Sequence, residues 1–289
     1  MSTRFQFVGR LDMQISMQYR IDADEGVPRM NRHQQTAHTN VTIDPSGIAH
    51  LEITNAGVLN VLGKEVAEDV TTVVGELATL ADVRALIVRG SGERAFVGGA
   101  DIKQMAGFDN GAAKKFITAL AALCDALRLF PTPVIARLAG WSLGAGLEVA
   151  AACDIRISAS DAHFGMPEVA VGIPSVIHAT LLPRLIGSAR ASWLMLTARN
   201  IDAPTALSWG LIDEVCSPSD LTAAVDRTAG LFVELGSAAV RQQKRLLREW
   251  EDMTLDDAIR ASIDEFGSAF DTGEPQRFMA NFVNRQRHG

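Results

Sequence analysis

Cysteine is scarce in this chain: three among 289 residues, at 124, 153 and 216, far apart and set among apolar neighbours. An odd, scattered set excludes a disulfide framework and reads as small core hydrophobes of a reducing compartment. The cysteines and six histidines show no metal-ligand spacing, so no metal is expected. Long apolar runs are also missing, and nothing approaches the roughly 18 to 20 residues of a membrane span. The first thirty residues carry Arg4, Arg10, Arg20 and Arg29 but also Asp12, Asp22, Asp24 and Glu25, with no signal-peptide apolar core. The expected address is cytoplasmic, with no membrane partner. Basic residues are outnumbered, 27 Lys and Arg against 34 Asp and Glu, for a net charge of −7. A nucleic-acid partner needs a basic face, so none is expected. Apolar residues, by contrast, make up 47% of the chain against 21% charged, enough for a large globular core.

Residues 1–37 follow neither helical nor strand periodicity and read as a flexible extension. Two β-prone runs, 40–44 and 48–54, flank the turn Asp44-Pro-Ser-Gly47. Residues 61–80 place Val61, Val66, Val70, Val73, Val74 and Leu77 on one helical stripe. A buried strand is predicted over 84–88, then a glycine-rich loop over 90–101, then a helix over 112–130 stopped by Pro131 and Pro133. Strands follow at 132–138 and 154–158, with a turn at 164–168. Beyond Pro174 the pattern is helical at 175–186, 188–198 and 204–209, with one strand at 211–216 and four helices after Ser219. Alternating β and α giving way to helices is an α/β pattern with a helical tail. The expected division is an extension over 1–37, a core over 38–215 and a helical region over 216–289.

The most informative stretch runs from Ala139 to Asp154. Glycines at 140, 144 and 146 permit a sharp turn, and an alanine-rich helix follows whose first N–H groups are free to bind a ligand. Glu148 is the single charge between Leu143 and Cys153, which costs stability unless it is paired or used. A structural partner for it would be Arg137 or Arg156. Two motifs here need weighing. Gly90-Ser-Gly-Glu-Arg-Ala95 fits a dinucleotide fingerprint, but the following Phe-Val-Gly-Gly-Ala-Asp is a poor helix start. Gly140-Trp-Ser-Leu-Gly144 fits a nucleophile elbow, yet the later histidines 163, 178 and 288 do not suit the usual serine, acid, histidine order. Ser142 therefore reads as a turn residue.

The segments 96–103 and 143–146 each offer backbone donors on glycine turns beside helix starts. Such donors could converge on a developing oxyanion, although from composition alone two tight turns packing on each other is the commoner case. Taken together, the 94–103 segment Arg-Ala-Phe-Val-Gly-Gly-Ala-Asp-Ile-Lys, the 141–148 segment Trp-Ser-Leu-Gly-Ala-Gly-Leu-Glu, the Cys153-Asp-Ile step and Phe164-Gly-Met-Pro-Glu168 resemble the crotonase (enoyl-CoA hydratase/isomerase) superfamily. The resemblance runs from about residue 39 to the end, through the 206–215 segment and the helical tail.

This resemblance implies an α/β fold, a crotonase-type spiral of ββα units with a helical C-terminal oligomerisation part, assembled as a homotrimer or homohexamer. It implies hydration of a 2-enoyl-CoA, with no cofactor beyond the coenzyme A of the substrate. The N–H groups of Ala100 and Ala145 would form the oxyanion hole, and Glu148 and Glu168 would be the catalytic pair. Arg94, Val97, Gly99, Asp101, Ile102, Lys103, Gly144, Pro167 and Gly172 would line the acyl-CoA site, with Arg94 and Lys103 towards the nucleotide. Glu168 would deliver the C2 proton while Glu148 activates water, so the two carboxyls need different pKa values. The helix dipole favours the anion of Glu148 and burial opposes it. Read alone, Glu168 is an ordinary solvated carboxylate. One departure stands out: where the family continues with a glycine-rich segment after Ile-Pro, this chain has Val171-Gly-Ile-Pro-Ser-Val-Ile-His-Ala-Thr180, one residue shorter and bulkier. That segment leaves open an isomerase or thioester hydrolase, and His178 as either a helix histidine or an extra acid/base. A non-catalytic RNA-associated homologue is the reading from another class, disfavoured by the acidic charge and the two glutamates.

Overall fold

The computed structural model describes residues 33–286. The chain opens as an antiparallel meander of β1 (His33–Gln35), β2 (Thr39–Ile43) and β3 (Ile48–Ile53). The β2–β3 turn forms as its sequence predicts. Asp44 Oδ1 accepts from the N–H groups of Ser46 at 2.8 Å and Ile48 at 3.0 Å, and Gly47 sits at φ +88°. Most of the segment read as an extension, residues 1–32, lies outside the described residues, while His33–Gln35 pair into the main sheet.

From β3 the chain coils in repeated turns, and each turn lays down one long and one short strand. The long strands β4 (Ala85–Gly90), β6 (Val134–Leu138) and β8 (Ile155–Ala159), and then the three-residue β11 (Glu214–Cys216), add in parallel to β3, giving the order β1-β2-β3-β4-β6-β8-β11. The short strands β5 (Ala95–Val97), β7 (Trp141–Leu143) and β9 (His163–Gly165) form a second parallel sheet, closed by antiparallel β10 (Ile201–Asp202) in the order β10-β9-β7-β5. Between strands lie α1 (Lys64–Ala78), α2 (Ile102–Met105), α3 (Asn110–Arg128) and α4 (Ala145–Ala152). After β9 come α5 (Leu182–Ile186), α6 (Ser188–Thr197) and α7 (Ala203–Trp209), then α8 (Leu221–Glu234), α9 (Ser237–Glu249), α10 (Leu255–Ala269) and α11 (Glu274–Gln286). No helix among the described residues is long and apolar enough to cross a membrane.

Alternation along the strands builds two cores. In β4, Leu86 and Val88 face the main core shared with α1, α3, α4 and the small sheet, while Ala85 and Ile87 face a second core under α8. In β6, Val134, Ala136 and Leu138 take the first side and Ile135 the second. Both faces are covered, so these strands read as continuous apolar runs. The predicted stripe of α1 is buried at Val66, Val70, Val73, Val74 and Leu77.

The differences from the sequence reading are local. The 90–101 loop contains β5, a strand of only three residues whose apolar character is shared with loops. The turn predicted at 164–168 is the end of β9 followed by a 3-10 helix, Glu168–Val171. The 175–186 helix divides into a 3-10 helix, Ile177–Leu181, and α5, because Pro183 suits only a first helical turn. Cys216 belongs to the main sheet rather than to the helical tail. Ser142 is no turn residue; it is the buried centre of β7.

Candidate active site

Because β5, β7 and β9 are parallel neighbours, their C-terminal ends lie along one edge of the small sheet. Three segments leave that edge together: Gly98-Gly99-Ala100, the Gly144-Ala145 start of α4, and Met166-Pro167-Glu168. Glycine lets them touch. Gly99, at φ +116°, would place a Cβ 3.2 Å from the Leu143 carbonyl. Gly144 adopts φ 51° and ψ −121°, and the space of its absent Cβ is taken by a carboxyl oxygen of Glu168.

The edge presents backbone donors. Leu62 N–H donates to Gly99 O at 2.8 Å and Asp101 N–H to Leu62 O at 2.9 Å, so in this ladder the N–H of Ala100 points the opposite way. Ala145 is the first residue of α4, where a helical N–H has no partner within its own helix. Among the described residues neither N–H has an acceptor. Both donors were expected from the sequence, and the structure brings them to the same edge.

Two carboxyls stand beside them. Every residue of α4 is buried, and Glu148 is 4% exposed; among the described residues its carboxyl takes one hydrogen bond, accepted by Oε1 from the Ala179 N–H at 3.0 Å. The arginines considered as its partners are engaged elsewhere: Arg137 with Glu93 at 2.9 Å, Arg156 with Asp213 at 3.3 Å. Burial, reinforced by the nearby Glu168 and only partly offset by the Ala179 bond, raises the Glu148 pKa to about 8. Burial therefore overrides the helix dipole. Glu168 is also raised by burial, opposed by its own backbone N–H and by Ser175, whose Oγ donates to Oε2 at 2.9 Å. Glu168 is not the solvated carboxylate it resembles when read alone.

The other expected residues have varied settings. Asp101 caps α2 by accepting from the N–H groups of Lys103 and Gln104, leaving Ile102 and Lys103 exposed on that short helix. Val97 is fully buried, and its carbonyl fills the space a Cβ on Gly146 would need. Pro167 precedes the 3-10 helix, and Gly172 closes it at φ 81°. Arg94 borders a cavity of about 440 Å³ with Asn55, Gly57, Val58, Ser91, Gly92 and Glu93. The two rival motifs fail on structure. Ser142 is fully buried with no hydrogen-bond partner among the described residues, and Gly90-Ser-Gly-Glu-Arg-Ala95 runs into β5 where a fingerprint needs a helix. Sequence reasoning did not single out Ser175 and Ala179 as carboxyl partners. The bulky 171–180 segment was the available signal; the pairing itself spans seven and 31 residues.

The enoyl-CoA hydratase/isomerase family model matches residues 44–288. The short-chain-enoyl-CoA hydratase of Clostridium acetobutylicum is 34% identical over 250 residues, covering 86% of this chain and 96% of that protein. The crotonyl-CoA hydratase of Syntrophomonas wolfei is 33% identical over 253 residues, covering 87% and 97%. The crystal structure of an enoyl-CoA hydratase from Bacillus anthracis superposes with a TM-score of 0.80 at 26% identity, covering 88% of this chain and 97% of that one. With its two-sheet spiral, its edge of free donors and the match along nearly its whole core, this chain belongs to the enoyl-CoA hydratase/isomerase family and has the crotonase fold.

Proposed function

We propose that the protein hydrates a 2-enoyl-CoA thioester to a 3-hydroxyacyl-CoA. The observation that carries this reading is the meeting of one buried and one half-buried carboxyl with two unpaired backbone donors at one sheet edge. The thioester oxygen sits between the N–H groups of Ala100 and Ala145. Water attacks C3, Glu148 takes its proton, and the C2=C3 electron pair moves towards the thioester oxygen as an enolate that the two donors stabilise. The Glu168 carboxyl then protonates C2. The sum is addition of one water, with a proton passed from Glu168 to the product and one gained by Glu148 from the water.

Neither carboxyl can ionise freely in this setting, so the resting pair holds one proton between them. Glu148, with the more strongly raised pKa, keeps it. That form is ready for the dehydration direction, Glu148 protonating the departing C3 hydroxyl while Glu168 removes the C2 proton. Hydration begins from the other arrangement, reached by proton transfer across the pair.

The coenzyme A of the substrate is the one cofactor this chemistry needs. Lys103, exposed just past the Ala100 turn, suits its phosphates, while Arg94 is exposed at the opposite end of β5, a second cation for the nucleotide end. Assembly as a trimer or hexamer is supported by the apolar residues that α10 and α11 leave exposed, among them Ile259, Ile263, Phe266 and Phe282. A cytoplasmic location is supported by the three free cysteines.

The test is loss of the conjugated enoyl absorbance of crotonyl-CoA. E148Q and E168Q are each expected to lower kcat by about 10²–10⁴. Full activity in either variant removes that residue from the mechanism, and an inert wild-type chain across a series of enoyl chain lengths overturns the reading.

A further inference from the structure

The segment between Gly172 and α5 touches both carboxyls. Its Ser175 hydroxyl donates to Glu168 and its Ala179 N–H donates to Glu148. Between these contacts lies Ile177, at φ +42°. A β-branched residue in that region is strained and stays there only where its surroundings hold it. The next residue supplies a hold. His178 Nε2 lies 3.1 Å from Asp125 Oδ1 on α3, and the imidazole is largely buried, its side chain 12% exposed. Thus the strained residue is bracketed by the carboxyl contacts, and the next residue ties the segment to a long helix through a side-chain pair.

We infer that Asp125 and His178 are positioning residues for the carboxyl pair: they clamp the 175–179 segment to α3 and so hold the Ala179 N–H on Glu148 and the Ser175 hydroxyl on Glu168. The inference rests on the hydratase reading for its catalytic consequence, but the geometry of the clamp stands without it. His178 acts through the backbone that follows it rather than as a third acid or base. When the clamp is released, Ile177 relaxes to negative φ and turns Ala179 away, and Glu148 loses the hydrogen bond that favours its anion. The other titratable groups around Glu148 are Glu168 across the site and Cys124 on α3.

The experiment follows the Glu148 carboxyl directly, by carbon NMR of the full-length protein labelled at glutamate side chains, with E148Q identifying the resonance. D125A and H178A are each expected to move the Glu148 titration above that of the wild type. Each is also expected to lower kcat about tenfold or more while KM for crotonyl-CoA stays within about twofold. Glycine adopts positive φ without strain, so I177G added to H178A is expected to recover part of both losses. Asp125 is more than half exposed, which makes D125A the variant that keeps the fold if H178A does not. Wild-type titration of Glu148 in D125A, or a kcat loss with that titration unmoved, overturns the inference. Failure of the wild type to hydrate any enoyl thioester would refute the hydratase reading and leave the titrations to decide the clamp.

Discussion

Glu148 is the residue on which the chemistry and the stability of this protein pull in opposite directions. Its pKa of about 8, set chiefly by burial, gives two linked expectations. In catalysis, kcat/KM should follow a bell in pH. The acid limb marks entry of a second proton on Glu168, above the ordinary carboxyl range, and the alkaline limb near 8 marks loss of the shared one. A flat profile between pH 6 and 9 would refute the one-proton pair. In stability, the native state binds a proton that the unfolded chain releases at about 4.5. That contribution is fully present below 4.5 and is lost as pH rises towards 8. Glutamine keeps an acceptor for the Ala179 N–H but carries no charge to bury. E148Q should therefore melt higher than the wild type at pH 9, by about 2–4 °C for each kcal/mol relieved, with the difference closing near pH 5. Thermal unfolding at the two pH values checks the sign.

At the level of elements, α9 is fastened to the spiral by buried charge. Lys244, 6% exposed, reaches Asp154 Oδ2 at 2.6 Å and the Thr132 carbonyl at 3.0 Å, while Arg248 takes Asp154 Oδ1 at 2.6 Å. Asp154 in turn accepts the Val134 N–H at 2.7 Å, tying α9 to the start of β6. Replacing Lys244 by alanine leaves a partly buried carboxylate with one of its two cations, and should cost about 3–5 kcal/mol in urea unfolding. A loss below about 1 kcal/mol would mean that Arg248 alone suffices. These elements differ in how readily the sequence reveals them. The α1 stripe and the buried runs of β4 and β6 carry their own periodicity, and the two glycine turns and two glutamates carry a recognisable motif. Three-residue strands such as β5 and β9 do not, since so short a run has no period to measure. Nor can sequence show that Ser175 reaches back to Glu168 or that Lys244 finds Asp154. Those contacts exist only once the spiral has brought distant segments together.

On the scale of the whole molecule, α10 and α11 leave a set of large apolar residues exposed, the surface on which the proposed assembly rests. Ile263 and Phe266, 72% and 68% exposed, are the expected centre of a contact between copies. I263D with F266D should convert the proposed assembly to monomers in sedimentation, whereas an unchanged oligomer would place the interface elsewhere. The spiral also divides the labour of the site between two kinds of matter. The donors proposed for the thioester oxygen belong to the main chain at Ala100 and Ala145, and only proline can delete an N–H by substitution. The groups proposed to handle protons, Glu148 and Glu168, are side chains, each replaceable by a single codon. Heritable change can therefore rewrite what is done to a bound thioester while leaving intact the device that polarises it, so the scaffold is free to vary its reactions without relearning its grip.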